Sequence, residues 1–79
     1  MREDCFKILQ QFVDNDGHVS VFKLHSSQIF KALGSNDKEK YIENLLLLQK
    51  GRFIILRADT SEVELLEKGI IFLKKSVSG

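Results

Sequence analysis

The stretch VELLEKGIIFLKK, Val63 to Lys75, decides how this chain folds. Val63 to Leu65 alternate as a strand does, Ile70 to Lys75 repeat as a helix does, and nothing between them reads as a loop. Gly69 falls in the first turns of that helix, where glycine costs roughly 1 kcal/mol relative to alanine. Upstream, FIILR (Phe53–Arg57) reads as a strand, ADTSE as a turn and VEL as its partner, so a hairpin runs straight into a closing helix from Glu67 to Lys75. That helix is acidic at its start and lysine-rich at its end, as its dipole prefers.

Further upstream, EDCFKILQQFVDNDG places Cys5, Ile8, Leu9, Phe12 and Val13 at the three-and-four spacing of one buried helical face. Glu3 and Asp4 suit its first turn, and Asn15-Asp16-Gly17 supplies turn chemistry at its end. In HVSVFKLHSSQIFKALG a short strand is expected over His18 to Phe22. A helix follows, capped at Ser26 or Ser27, with Ile29, Phe30 and Leu33 inward and Gly34 as terminator; a start as early as Phe22 also fits the spacing. The next helix has Ser35 or Asn36 as cap, Glu39 placed to complete a capping box with Asn36, the run KYIENLLLLQ, and Gly51 at its end.

Composition limits what such a chain can be. Its 79 residues, 43% hydrophobic and 29% charged, suit one small domain over 1–75, with 76–79 a loose tail. The longest apolar runs, Leu45–Leu48 and Ile70–Leu73, fall far short of the roughly 20 residues that span a bilayer. Met1 is followed at once by charged, helical sequence, so no signal peptide is read, and the single Cys5 excludes an internal disulfide. A reducing, cytoplasmic setting is the expectation. The net charge of +1 neither demands nor excludes an anionic partner.

Two pieces of sequence carry a resemblance: ALGSNDKEKYIENLLLLQKGRFI (Ala32–Ile54) and VELLEKGIIFL (Val63–Leu73). The first resembles the leucine, glycine, capped recognition helix and closing glycine of the winged helix-turn-helix family. The second resembles that family's strand ending in L-T-x-K-G before a last helix. The resemblance covers nearly the whole chain and implies an α+β, mostly helical fold: helix, short strand, helix, helix, β-hairpin wing, C-terminal helix. It also accounts for Gly69, because in such folds a small residue lets the closing helix approach the sheet. One departure is Leu66, standing where the family has a capping threonine.

What the resemblance implies for function is DNA recognition by the helix that begins near Asn36. At about 100° per residue, Tyr41, Leu45 and Leu48 form its inward stripe, with Ile42 and Leu46 beside it. Asn36, Lys40, Glu43 and Leu47 then face outward, flanked by Glu39, Asn44 and Lys50. Asn36 and Asn44 have the chemistry to pair with adenine, and Glu43 to accept from cytosine, although for Asn36 the helix cap is the simpler role and the one expected first. Between Asn36 and Asn44 the lysines Lys38 and Lys40 are outnumbered by Asp37, Glu39 and Glu43, so phosphates must be held elsewhere. Arg52 and Arg57 on the wing, with Lys23, His25 and Lys31 around the second helix, are the candidates. The alternative is that these are scattered solvated charges.

Leu47 lies on a helix end apolar almost all round, and Ile71 and Phe72 lie off the face shared by Ile70 and Leu73. They are either covered within the monomer or form a homodimer contact, as regulators of this family commonly do through terminal helices. Catalysis finds no support. Cys5 lies on a core stripe, His18 and His25 lack zinc-site companions, and the metal-like DNDGH has no distant glutamate to complete a calcium loop. There is no phosphate loop, nucleophile elbow or nucleotide fingerprint, and no cofactor or small-molecule ligand is implied. Two functions stand: a homodimeric transcriptional regulator binding double-stranded DNA, and a winged-helix module that binds protein through an acidic, apolar helix face.

Overall fold

In the first helix, Glu3–Gln10 (α1), Cys5, Ile8 and Leu9 are buried on one face. Regular α-bonding ends early. Gln11, Phe12 and Val13 each donate backward by three residues, a tighter turn that swings Phe12 fully into the core. The structure, a computed structural model, describes residues 1–78 and the side chains of residues 1–76.

The strand expected over His18–Phe22 is displaced. It lies at Lys23–His25 (β1), and the earlier stretch contributes only an isolated bridge between Val13 and Val19. Val19 and Val21 do alternate, but a strand also needs a partner backbone, and the ladder to the sheet begins at Lys23, opposite Glu64. The next helix, Ser26–Leu33 (α2), is capped by neither expected serine. His25 holds the cap position, with Nδ1 accepting from the Ser27 amide at 3.2 Å and lying 2.7 Å from the Ser27 hydroxyl. Gly34 ends α2 in the left-handed region at φ 69, where it has no Cβ to strain.

The third helix, Lys38–Lys50 (α3), is capped by Asp37, whose Oδ1 accepts from the Lys40 amide at 3.0 Å. Ser35 supports it from behind, its Oγ accepting from the Asp37 amide at 3.1 Å. The expected capping box of Asn36 and Glu39 therefore does not form. Ser35, Asn36 and Asp37 are all competent caps, and the acid has the added favour of the helix dipole.

A hairpin follows, Ile54–Arg57 (β2) and Glu62–Leu65 (β3). The three strands form one antiparallel sheet in the order β1-β3-β2, with Leu24 and Leu56 both opposite Val63. Leu66 donates its amide to the Phe53 carbonyl at 3.0 Å, and the closing helix, Glu67–Ser78 (α4), starts at the next residue. It thus runs beyond Lys75 into the segment expected as a tail; Gly79 lies outside the described residues. The architecture is α+β, four helices with a three-stranded antiparallel sheet. Ile8, Phe12, Ile29, Leu45, Ile54 and Leu73 fill the space between them, each at most 2% exposed. Burying one such side chain contributes about 1.5–3 kcal/mol. Among the described residues no helix is long and apolar enough to cross a membrane.

Candidate nucleic-acid interface

The turn of the hairpin, the start of α2 and one flank of α3 border a groove of about 380 Å³. α3 lends Lys38 and Ile42, α2 lends Ser27 and Phe30, and the hairpin lends Ala58 and Ser61. Two buried-edge bonds fix this geometry. The Ser26 amide donates to the Ser61 carbonyl at 2.8 Å, and the Tyr41 hydroxyl donates to the Ser26 carbonyl at 2.8 Å. Burial pushes the Tyr41 phenol above its ordinary pKa, with the Ser26 side chain opposing, so it stays a neutral donor.

The candidate DNA contacts divide by position. Asn36 and Lys38 stand exposed at the start of α3, and Lys31 is exposed in the last turn of α2. Arg57 is exposed at the hairpin end of β2, its Nη2 3.3 Å from the Glu64 carboxylate that Lys23 also reaches at 3.7 Å. Lys40 and Glu43 turn toward α1 instead. Lys40 Nζ lies 3.6 Å from Asp4, and Arg2 Nη1 lies 3.3 Å from Glu43. Such exposed pairs are worth about 0–1 kcal/mol, so both side chains remain releasable. Arg52 lies past the opposite end of α3, roughly 20 Å along the axis from Lys38 at 1.5 Å per residue, and itself takes the left-handed turn at φ 64.

Asn44 requires a correction. Expected on the flank of the outward face, it is 3% exposed, and Cys5 Sγ approaches its Oδ1 at 3.7 Å. The helix is rolled so that Asn44 turns onto Cys5 of α1 beside the buried stripe of Tyr41, Leu45 and Leu48, which removes it from any base-reading set. The same roll exposes Leu46 (50%) and Ile42 (42%) beside Glu39 and Glu43. Cys5 is itself buried, and that burial raises its thiol pKa, the opposite of an activated nucleophile.

The proposed dimer residues are found near one another. Leu47 and Phe72 border an apolar groove of about 430 Å³ together with Met1 and Phe53. Phe72 is half-buried, its ring set edge-on to Phe6 at 6.0 Å and Phe53 at 5.7 Å. Ile71, 45% exposed, projects next to it.

The Asp14-to-His18 segment is a turn of the Asx type. Asp14 Oδ1 accepts from the amides of Asp16 and His18, both at 2.9 Å, and the His18 amide foremost holds the carboxyl below its usual pKa. Sequence reading missed Ser27, Ala58 and Ser61 as groove residues. They become neighbours only through the β1-β3-β2 register, which no local pattern announces. Compared with known proteins, the chain matches no family model, no curated protein and no solved structure.

Proposed function

We propose that this chain is a winged helix-turn-helix DNA-binding protein, a homodimeric transcriptional regulator. In this reading α2 and α3 form the helix-turn-helix and β2-β3 the wing. One observation carries it: Lys38 at the start of α3 and Ala58 and Ser61 of the hairpin border a common groove, so helix start and hairpin turn face one side. A duplex needs that arrangement if the helix is to enter the major groove while the hairpin meets the backbone. Asn36 and Lys38 then read base edges, Lys40 joins them on leaving Asp4, and Arg57 and Lys31 hold phosphates. Leu47, Ile71 and Phe72 supply the dimer contact.

A second reading is favoured by a specific feature, the exposed Ile42 and Leu46 beside Glu39 and Glu43. An acidic, apolar helix face suits a protein surface better than phosphates. Fluorescence titration against a random duplex pool at two salt concentrations, followed by selection of bound sequences, separates the two. DNA binding gives affinity that falls steeply with salt and an enriched site. No binding at moderate salt and no enriched sequence would transfer the assignment to the protein-binding module.

A further inference from the structure

A polar cleft of about 140 Å³ lies between α1 and the α2–α3 turn, away from the hairpin groove. That is many times the ~10–15 Å³ that one water requires. Asn44 lines it. Although Asn44 is 3% exposed, no described residue accepts from its carboxamide nitrogen, while its oxygen receives only the Cys5 thiol. Among the described residues no side-chain nitrogen or oxygen is both sealed from solvent and unpaired. The Asn44 nitrogen is therefore not sealed from solvent, and Asn44 borders the cleft.

The charges around it alternate in sign. Asp4 and Lys7 face the cleft from α1, and Asp37 and Lys40 from α3 and its cap. Ser35 adds a hydroxyl from the turn, and Ile8 and Leu33 form an apolar wall. A lone anion meets two carboxylates here, and a lone cation meets two ammoniums. A molecule bearing both charges on groups joined through one carbon satisfies each against its opposite.

We infer that this cleft is a binding site for a small zwitterion, a free α-amino acid with a short aliphatic side chain. Its carboxylate accepts from the Asn44 carboxamide and the Lys40 ammonium. Its own ammonium donates to Asp4 and Asp37, and its side chain rests on Ile8 and Leu33. The Lys40–Asp4 pair, 3.6 Å apart across the cleft, opens to admit it, since so exposed a pair holds weakly. Occupancy ties α1 to the turn that orients α3. The inference does not depend on DNA binding.

The test is a titration of the ¹⁵N-labelled full chain, without DNA, by L-alanine, and separately by acetate and by methylammonium. L-Alanine is expected to shift the Asn44 side-chain amide and the Ser35 and Lys40 backbone amides saturably, with acetate and methylammonium at least about tenfold weaker. Lys40→Gln, an exposed substitution that the fold tolerates, should weaken L-alanine by about tenfold, the loss of one charged partner. No saturable shift with L-alanine, an equal response to acetate, or indifference to Lys40→Gln would each overturn the inference.

Discussion

Gly69 of α4 lies directly against the main chain of Phe53. A Cβ built on Gly69 would meet the Phe53 carbonyl oxygen in hard overlap, with the carbonyl carbon at 3.3 Å and Leu65 Cδ1 at 2.7 Å. That same carbonyl accepts the Leu66 amide at 3.0 Å, so the residue before β2 holds the strand-to-helix junction from two sides. Here is the physical reason for a glycine in the first turns of a helix. The close approach offsets the propensity that glycine forfeits.

Gly69→Ala should therefore destabilise the protein by about 1–3 kcal/mol, despite alanine's better helix propensity. The obstructing atom is backbone, fixed by its own hydrogen bond, and cannot swing aside as a side-chain end can. Gly69→Val should lose more. In thermal unfolding each kcal/mol corresponds to roughly 4–8 °C for a domain of this size. An alanine variant as stable as wild type would show that helix and sheet can separate at no cost.

Asp14 offers a pH-dependent prediction. Its carboxylate, held below its usual pKa chiefly by the His18 amide and then by the Asp16 amide, is lower in the folded than in the unfolded chain. It contributes stability that is complete above the unfolded value and is lost as pH falls through the folded one. Asp14→Ala should be less stable than wild type at neutral pH, and the gap should close below the ordinary carboxylate range. Urea unfolding at pH 7 and pH 3 checks this, and a gap that stays constant with pH contradicts it.

Much of this fold was legible because apolar spacing is a strong local signal. Cys5, Ile8, Leu9 and Phe12, then Tyr41, Leu45 and Leu48, all fall in the core as their periodicity requires. The hairpin and the glycine at the last junction were legible for the same kind of reason. What failed depended on partners distant in sequence. β1 is fixed by pairing with β3, not by the alternation of Val19 and Val21, and the roll of α3 that buries Asn44 is set by its packing on α1. The α3 cap fell one or two residues beyond the expected Ser35 or Asn36 because Ser35-Asn36-Asp37 offers three competent acceptors in succession.

The assembly proposal predicts that wild-type protein sediments as a dimer at micromolar concentration. Ile71→Glu should shift it to monomer, because a carboxylate there must be desolvated on association while the monomer keeps it in water. Leu47→Glu should act in the same direction from the other rim of the Met1–Phe53 groove. Phe72 is the poorer probe, since it packs on Phe6 and Phe53 within the chain. Sedimentation equilibrium decides the matter, and a wild-type chain that stays monomeric at high micromolar concentration removes the dimer from the proposal.

The DNA proposal assigns different work to Lys38 and Arg57, and that division can be measured. Arg57 stands at the hairpin end of β2, sharing the half-buried Glu64 with Lys23, so phosphate contact requires it to exchange that carboxylate, which Lys23 still reaches, for another anion. Arg57→Ala should weaken binding to the selected site and to random duplex alike and reduce the salt slope by about one. Lys38→Ala should instead cost about 1–3 kcal/mol on the selected site and relax its sequence preference, with little change on random duplex. Asn44→Ala, being buried, should lower stability without altering the preferred sequence of the folded fraction. Lys40 is the informative intermediate. Asp4→Asn releases it from its pair and should raise affinity at low salt, an effect that fades as salt screens both charges. If Asn44→Ala changes the selected sequence while Lys38→Ala leaves it intact, the bases are met by a different face of α3, and the groove shared by Lys38, Ala58 and Ser61 does not mark the DNA-facing side.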